Sequence, residues 1–512
     1  MPTNNDFSND SGEYLLSQRA AEFIDCLPGG HKLLSSSSSL AFYRATMPLQ
    51  ASIRIEKTRR HLKQMGISAP IQSFDHHDAH LASAYYSAGQ PDALIISNDA
   101  FGDGLCSKVA VGNPQTGGFD ILSSNSFFNS LGVYYNYATL LCGFTKGHHA
   151  GKTTGLAAFG NPAKTVEIFQ EMIQWDSSQG IYVNHSGIFR NSIESLREKL
   201  SGYSREDIAA GIQKHCENIL TEMVRYYVVQ TRCEHIVLVG GIHANVKVNQ
   251  RIAEIPELKS VFIFPNMGDG GLALGGAYLA MTSMKPMSLK PTLIKHAYLG
   301  PTYSEADLLT ALNQTDLPYY RPEHYATEVA QLLANDKVVA RFDGAMEFGP
   351  RALGNRSILY SAARPEVNGW LNQQLNRTEF MPFAPVIREI DAPAFFKNFN
   401  EKTAHTAEFM TITYDVTDRC KNEAPATVHV DGTARPQIIK RNINAGYYDI
   451  LTEYQKLTGL SILVNTSFNM HEEPIVCSPQ DAIKAFLASN IDALALGPFI
   501  ITNPSRKTTT VC

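Results

Sequence analysis

The feature that most constrains the fold of this chain is a set of short, almost wholly apolar runs, each followed closely by Gly, Asn or Asp. The clearest are Ala93–Ile96, Ile236–Val239 and Val261–Phe264, and the stretch 208–229 between them has the composition of a helix. Continuous apolar strands that alternate with helices are typical of an α/β domain whose sheet is covered on both faces. In such sheets a ligand lies beyond the carboxyl ends of the strands, so the residues after these runs are the first candidates for a site.

The chain is long enough for at least two domains, because a single hydrophobic core rarely serves 512 residues. Pro and Lys residues interrupt the pattern over 282–298. New apolar strands begin beyond this interruption, at Val338–Phe342, Ile462–Val464 and Ala493–Thr502. We therefore predict a weakly organised segment over residues 1–50, a first domain over 51–285 and a second domain over 297–512.

Composition and charge exclude several classes of protein. Apolar residues make up 44% of the chain, which excludes disorder, and the net charge of -5 disfavours a general nucleic-acid binder. No apolar run approaches the roughly 20 residues that a membrane span needs, and the polar N-terminus has no secretion signal. None of the eight cysteines forms a C-x-x-C pair. We expect reduced thiols in a cytoplasmic protein with no membrane or nucleic-acid partner.

Two histidines and two aspartates are candidates for a metal site. His76 and His80 are four residues apart before a helix-like run, so on a helix they share one face and can bind one metal ion. Asp99 and Asp269 each follow an apolar strand in a turn that contains glycine. Such a mixed N/O set suits Fe, Mn or Zn. The residues alone also fit a capped helix start and two Asx-turns, so both interpretations stay open here.

Two Gly-rich turns follow strands in the same half, one at Gly240–Gly241 and one over 268–276. A glycine turn that opens a helix presents free backbone N–H groups to a phosphate. Neither turn matches a Walker A or a dinucleotide-binding pattern. The glycines alone therefore leave open whether these segments bind a nucleotide or are turns with no ligand.

The second half contains four arginines set among Gly, Asn and Ser, namely Arg351, Arg356, Arg377 and Arg435. Guanidinium groups match phosphate oxygens with forked pairs of donors. The alternative is that these arginines pair with Glu347, Glu379 or Asp431. For a single arginine we would favour such an ion pair, but four in this setting favour phosphate.

Taken together, the motifs resemble the O-carbamoyltransferase family of nodulation, cephem and nebramycin carbamoyltransferases. The resemblance runs from about His76 to Ile501. In the first half it rests on HHDAH at 76–80, Asp99, SLG at 130–132, GKTTGLA at 151–157, GG at 240–241 and GDGG at 268–271. In the second half it rests on MEFGPRALGNRS at 346–357, PFAP at 382–385, HVDGTAR at 429–435 and VNTSFN at 464–469.

The resemblance implies an α/β chain with an N-terminal actin-like (ASKHA-type) ATPase domain followed by a C-terminal YrdC-like α/β domain. It implies an enzyme that forms carbamoyl-adenylate and pyrophosphate from carbamoyl phosphate and ATP in the second domain. The carbamoyl group then passes to a hydroxyl of a small-molecule or glycan acceptor at the metal site of the first. The implied cofactors are a divalent metal, Fe2+ favoured, and Mg2+ with ATP. The oligomeric state stays open, with a homodimer as one option.

Site residues are carried over by position. The metal ligands implied are His76, His80, Asp99 and Asp269. The nucleotide-binding residues are Lys152, Gly240, Gly241, Asn245, Asn249, Gly268 and Gly270. The residues that bind carbamoyl phosphate and ATP are Arg351, Arg356, Arg377, Arg435, Asn465 and Ser467, and Arg351 is also assigned a catalytic role. An acceptor hydroxyl attacks poorly unless a base takes its proton. His77 and Asp103 are candidates for that base, and His148 and His149 are further candidates.

The chain departs from the family pattern at its start, because no opening strand hairpin is found before His76. Two alternative functions are therefore kept. One is a relative of the threonylcarbamoyl-transfer enzymes that act on tRNA, which the low net charge and the lack of a basic stripe disfavour. The other is a nucleotide-binding protein that has lost its activity, which the intact motifs of both halves disfavour.

Overall fold

The computed structural model describes residues 52–53, 55–187, 190–285, 289–375 and 381–503. The segment predicted to be weakly organised, 1–50, lies outside these residues, and so does Arg377. A helix covers residues 55–64. In the described part of the chain, no helix is both long enough and apolar enough to cross a bilayer.

The strands are β1 Leu94–Gly102, β2 Leu105–Asn113, β3 Gly118–Ser126, β4 Ile173–Asp176, β5 Ile181–Asn184, β6 His235–Val239, β7 Ser260–Ile263, β8 Tyr319–Tyr320, β9 Val339–Phe342, β10 Arg356–Ser361, β11 Ala384–Arg388, β12 Tyr414–Asp415, β13 Thr433–Ala434, β14 Gln437–Ile439, β15 Ile462–Ser467, β16 Ala493–Leu496 and β17 Phe499–Thr502.

The α-helices after residue 64 are His76–Ala88, Leu131–Leu141, Ala150–Leu156, Val166–Met172, Arg190–Lys199, Arg205–Thr231, Val246–Ala253, Leu272–Met284, Glu305–Leu312, Tyr325–Ala334, Glu366–Gln374, Ala392–Phe395, Glu401–Ala407, Asp418–Glu423, Ala445–Thr458 and Pro479–Ser489. The mixed α/β architecture predicted from the sequence is confirmed.

The first sheet has the strand order β3-β2-β1-β6-β7, in which β1, β2 and β3 are antiparallel and β6 and β7 run parallel to β1. Leu94 and Ile96 of β1 share an apolar cluster with the helix Arg205–Thr231, whereas Ile95 shares another with the helix His76–Ala88. The sheet is therefore covered on both faces, as the apolar runs predict. Because β1, β6 and β7 are parallel, the turns that follow them meet at one edge.

The second sheet has eight strands in the order β14-β11-β15-β10-β9-β16-β17-β8. The helices Tyr325–Ala334 and Ala445–Thr458 cover one of its faces and share an apolar cluster with Val339 of β9. The single strand predicted over Ala493–Thr502 is an antiparallel pair instead. The chain turns between its strands at Gly497, whose φ of 56° lies in the left-handed region that favours glycine.

Hydrogen bonds join the half that contains the first sheet to the half that contains the second. The Asn249 amide donates to the carbonyl of Thr411 (2.8 Å), and the Thr406 hydroxyl donates to the carbonyl of Val261 (2.7 Å). Asn249 and Thr411 are fully buried. Buried, satisfied polar contacts of this kind fix the geometry of the cleft between the halves.

Candidate active site

The four candidate metal ligands come together at the edge of the first sheet. His80 Nε2 lies 3.1 Å from His76 Nε2 and 3.2 Å from an oxygen of Asp99. An Asp269 oxygen lies 3.6 Å from His76 Nε2 and 3.5 Å from His80 Nε2. One potential ligand atom from each of the four lies within 4.8 Å of the others. Two imidazole nitrogens and two carboxylate oxygens thus face one point, a donor set that fits a divalent transition metal.

Local chain geometry explains this convergence. Asp75 caps the helix His76–Ala88 by accepting from the backbone N–H of Asp78 (3.0 Å), which starts the helix one residue before the first ligand. Gly102 packs against the His76 ring so closely that a Cβ there would lie 2.1 Å from its Cδ2. A glycine is therefore required at this position to seat the imidazole.

The electrostatics of the cluster favour charged carboxylates beside the imidazoles. Burial opposes ionisation of Asp99, but hydrogen bonds from His76 and His80 outweigh it and hold the pKa of Asp99 well below its usual range. Burial also opposes protonation of His80, yet the contacts with Asp269 and Asp99 raise its pKa. The two carboxylates therefore stabilise the protonated form of this imidazole.

The two candidate bases occupy different environments. His77 is fully buried, with Nδ1 2.9 Å from the Ser97 hydroxyl, and burial lowers its pKa to about 4. Asp103 is only partly buried, and one of its oxygens accepts from the backbone N–H of His76 (2.9 Å). Of the two, only the Asp103 carboxylate is open to solvent beside the cluster.

The turn after β6 contacts the group of four candidate metal ligands through its glycines. Gly240 has a φ of 95°, and a Cβ there would lie 2.1 Å from the carbonyl oxygen of Asn98. At Gly241 a Cβ would lie 3.1 Å from a carboxylate oxygen of Asp99. Both glycines therefore let this turn lie directly against the strand end that carries a metal ligand.

The other residues predicted to bind the nucleotide differ in their burial and in their hydrogen-bond partners. Asn245 caps the helix Val246–Ala253, and its amide donates to Gln213 (2.8 Å). Asn249 is fully buried, donates to two carbonyls and contacts His243 Nδ1, so its assignment as a nucleotide contact needs correction. Its amide serves the contact between the halves instead. Gly268 and Gly270 flank the metal-cluster residue Asp269.

A cavity of about 570 Å³ lies between the two halves and collects most of the second group of predicted residues. Arg351, Arg435, Asn465 and Ser467 line it from the second half. From the first half it is lined by neighbours of Lys152, namely Gly151, Thr154 and Gly155, whereas the Lys152 side chain itself is buried.

Two of the cavity arginines carry uncompensated charge. Burial lowers the pKa of Arg351 to about 10, and burial and the nearby Arg351 lower that of Arg435 further. Among the described residues, neither has a carboxylate partner. Glu347 accepts from the backbone N–H groups of Leu353, Asn355 and Arg356, and Asp431 pairs with Lys247 (2.8 Å). Glu379, the third acid considered, lies outside the described residues.

Arg356 does not reach the cavity, which corrects its assignment to carbamoyl phosphate and ATP. Its guanidinium lies 3.7 Å from the centre of the Phe342 ring and donates to the backbone carbonyls of Asp343 and Gly344. The side chain is fully buried. Arg356 therefore holds the chain around 343–344 in place, and the RALGNR motif contains one cavity arginine where the sequence suggests two.

Sequence reasoning missed several residues of the cavity wall. Lys247, His429 and Asp431 line it, as do three residues of the long helix Arg205–Thr231, namely Gln213, Lys214 and Glu217. The HVDGTAR motif contains two of these residues, but the sequence predicts a ligand contact only for its arginine and considers Asp431 only as an ion-pair partner. No sequence motif marks Lys247 as a site residue, because its partner Asp431 is 184 positions away in the chain.

Comparison with known families agrees with this site. The family model described as Carbamoyltransferase N-terminus matches residues 13–278, and the model described as Carbamoyltransferase C-terminus matches residues 330–503. The chain belongs to the carbamoyltransferase family and is an enzyme of that family. The match starts at residue 13, so the relationship extends upstream of His76, where the quoted motifs begin.

Individual relatives share most of their length with this chain. Nodulation protein NolO of Bradyrhizobium diazoefficiens is 32% identical over 441 residues, which cover 83% of this chain and 78% of that protein. Uncharacterized protein MJ1058 of Methanocaldococcus jannaschii is 30% identical over 470 residues, covering 86% and 75%. A crystal structure of HypF from T. kodakarensis has a TM-score of 0.25 and 19% identity over 34% of this chain and 22% of its own, too little to support a functional argument.

Proposed function

We propose that this enzyme is an O-carbamoyltransferase that makes carbamoyl-adenylate from carbamoyl phosphate and ATP. The carbamoyl group then passes to a hydroxyl of a small-molecule or glycan acceptor. The observation that carries the proposal is the pair Arg351 and Arg435, two guanidinium groups in one cavity with no carboxylate partner among the residues described. Buried charge of one sign is costly unless an anion compensates it. Carbamoyl phosphate and the ATP phosphates are anions of the required kind.

The hydrogen bonds of Asn465 are evidence that the ligand carries a carbamoyl group. Its amide nitrogen donates to the carbonyl of Ala352 (3.2 Å) and to the side chain of Gln437 (2.6 Å). Its amide oxygen is buried and has no hydrogen-bond partner. An –NH2 group on the ligand would satisfy this oxygen, and carbamoyl phosphate carries one where acetyl phosphate carries a methyl group.

The first half-reaction is balanced only if water takes part. Water converts carbamoyl phosphate to carbamate and inorganic phosphate. A carbamate oxygen then forms a bond to the α-phosphorus of ATP while the bond from that phosphorus to the β-phosphate bridge breaks, so pyrophosphate leaves. Arg351 and Arg435 would bind the phosphate oxygens and stabilise the charge that moves onto the leaving groups.

The second half-reaction would use the cluster of His76, His80, Asp99 and Asp269, whose donor set fits a divalent metal and for which we favour Fe2+. When bound there, such a metal supplies a Lewis acid that polarises a carbonyl oxygen. Asp103 is the better candidate for the base that takes the acceptor proton, because His77 is enclosed and Asp103 is partly exposed.

One short turn contacts both the cluster of histidines and aspartates and the cavity. Gly241 approaches Asp99 of the cluster, and Ala244, three residues later, lines the cavity. We propose that the turn 241–244 separates the site of adenylate formation from the site of transfer. This arrangement would let the unstable carbamoyl-adenylate reach the acceptor without crossing bulk solvent.

The fold assignment belongs to the same proposal. Three antiparallel strands followed by two parallel ones, in the order β3-β2-β1-β6-β7, support an actin-like fold for a first domain over 51–285. The mixed eight-stranded sheet would belong to a YrdC-like domain over 297–512. Within this assignment ATP, with Mg2+, is a substrate of the cavity and no nucleic acid is needed.

The experiment that tests the proposal measures pyrophosphate release by the purified full chain, with Mg2+ and Fe2+ present. Release is expected when ATP and carbamoyl phosphate are supplied together, but not with ATP alone or with carbamoyl phosphate alone. Acetyl phosphate is the matched control, because it has the same phosphate charge without the –NH2 group that Asn465 would bind. Pyrophosphate release from ATP alone would contradict the proposal. Release with acetyl phosphate as well as with carbamoyl phosphate would also contradict it.

A further inference from the structure

A Lys–carboxylate–His arrangement crosses the cavity wall from one half of the molecule to the other. Lys247, on the helix Val246–Ala253, lies 2.8 Å from a carboxylate oxygen of Asp431, whose other oxygen lies 3.4 Å from His429 Nδ1. All three residues line the cavity that contains Arg351 and Arg435. The side chains of His429 and Lys247 are only 13% and 17% exposed, so the contacts are largely shielded from solvent.

The second nitrogen of His429 lacks a partner. Nε2 is buried and makes no hydrogen bond with any residue that the structure describes. With the Asp431 carboxylate 3.4 Å from Nδ1, a neutral imidazole is expected to carry its proton on Nδ1, which would leave Nε2 as a lone-pair acceptor. Buried polar atoms are almost always satisfied, and His429 is one of the residues that line the cavity. A ligand atom that reaches this ring nitrogen would satisfy it.

The position of the imidazole is fixed from two sides. Asp431 also accepts from the backbone N–H (3.1 Å) and the hydroxyl (2.6 Å) of Thr433, which holds the carboxylate in place. The Phe159 ring, from the first half, makes an edge contact with the His429 ring at 5.7 Å between centroids. The ring is therefore held in one orientation before any substrate binds.

We infer that His429 is the general base of the first half-reaction and that Asp431 and Lys247 are its positioning residues, an inference that rests on the proposed function. The His429 Nε2 atom takes one proton from water as the water oxygen bonds to the carbamoyl carbon. The bond from that carbon to the phosphate oxygen breaks, and the proton passes to the departing phosphate. The second water proton is lost when carbamic acid ionises to carbamate.

The chain contains a matched control for this arrangement. His405 Nδ1 lies 3.0 Å from a carboxylate oxygen of Glu408, which also pairs with Lys440 (2.6 Å), and His405 Nε2 is buried without a partner. This second Lys–carboxylate–His set has the same chemistry, but its imidazole stacks on the Phe262 ring and none of its three members lines the cavity. A purely structural role for such sets predicts similar effects in both.

The test compares His429→Gln with His405→Gln in the full chain, with phosphate and pyrophosphate release from carbamoyl phosphate and ATP as the readouts. Loss of a general base is expected to lower both rates about 100-fold or more in His429→Gln. His405→Gln is expected to keep the wild-type rates. Equal rates in wild type and His429→Gln, or equal losses in the two variants, would overturn the inference.

Ammonium carbamate separates a base from a residue that only supports the fold. Carbamate is the product of the step assigned to His429, so it should restore pyrophosphate release from ATP in His429→Gln to the wild-type level. Asp431→Asn is expected to show a smaller loss with carbamoyl phosphate and the same restoration. Failure of carbamate to restore the variants, or to serve the wild-type enzyme, would overturn the inference. A wild-type enzyme that uses carbamate but not carbamoyl phosphate would instead contradict the proposed function.

Discussion

Arg351 and Arg435 are two cavity residues whose charges have no carboxylate partner among the residues that the structure describes. Each lies in the cavity wall, burial lowers the pKa of both, and the Arg351 charge lowers the pKa of Arg435 as well. An interior site of this kind reduces the stability of the ligand-free protein and gains strongly when an anion binds. The two arginines therefore act as a binding site before they act as catalysts.

This imbalance predicts the behaviour of Arg435→Met. Removal of one of two like charges is expected to raise the Tm of the ligand-free protein, since a buried charge without a partner opposes folding. Inorganic phosphate is expected to raise the Tm of the wild type, and the same change should abolish that rise. Arg441→Met is the control, because Arg441 forms an exposed pair with Asp449 (3.1 Å) away from the cavity. A lower Tm for ligand-free Arg435→Met together with a wild-type phosphate response would contradict this account.

Buried histidines make the protein sensitive to acid. Burial lowers the pKa of His215 to about 4, from 6.5 in the unfolded chain, and neither ring nitrogen has a partner among the described residues. Between these values the unfolded state binds a proton that the folded state excludes. The free energy of unfolding therefore falls as pH is lowered through this window, by about 1.4 kcal/mol per pH unit for one such group.

The variant His215→Leu isolates that contribution. The wild-type free energy of unfolding is expected to fall as the pH is lowered from 7 to 5. In the variant this fall should be smaller, by the amount that the protonation of one histidine contributes. Urea titrations at four pH values measure the difference, and His235→Leu is the control, because His235 is half-buried and paired with the Ser260 hydroxyl (2.7 Å). Parallel slopes for wild type and His215→Leu would show that this imidazole is protonated in the folded state.

At the scale of elements, the buried strands could be predicted from the sequence, but a chain reversal between two strands could not. The run Ile236–Val239 signals a strand buried on both faces because every residue in it is apolar. The turn at Gly497 was not predicted, because the apolar residues of β16 and β17 continue on either side of only two residues, Gly497 and Pro498. The spacing and composition of apolar residues identify a strand. A reversal of the chain within an apolar stretch depends instead on local backbone geometry, such as the positive φ of Gly497.

Side-chain direction accounts for the site residues that were misplaced. Sequence distance brings Asn249 near the Gly240 turn, but it does not tell which way the amide points. The structure turns it inward, onto the carbonyls of His243 and Thr411. The metal cluster could be predicted because helical spacing fixes the relative direction of His76 and His80, and strand ends fix the edge at which the carboxylates lie.

The inward orientation of Asn249 gives a test at the level of the element. Asn249→Ala would leave two buried carbonyls and the His243 ring without their hydrogen bonds, which is expected to lower the free energy of unfolding by about 3 kcal/mol. The KM for ATP in pyrophosphate release should stay at its wild-type value in the fraction that remains folded. Denaturant titration and steady-state kinetics measure the two quantities. A raised KM with unchanged stability would restore the nucleotide contact that the sequence suggests.

Across the whole molecule, contacts between the halves create a site that neither sheet contains alone. The cavity takes Arg351 and Arg435 from the second half and part of its wall from the first, through Gln213 and Lys247. Pairs such as Lys247 and Asp431, which are 184 positions apart, have no signature in a single sequence, because nothing in local spacing brings them together. This is why the sequence predicted two groups of functional residues but not the wall that joins them.

The central claim is that one chain divides its chemistry between two centres, a cavity for adenylate formation and a metal cluster for transfer. The most direct measurement determines metal content and pyrophosphate release in His80→Ala and Arg351→Ala side by side. The account predicts that His80→Ala loses the metal but still releases pyrophosphate from ATP and carbamoyl phosphate, whereas Arg351→Ala keeps the metal and releases none. Loss of both properties in each variant would contradict the division into two centres.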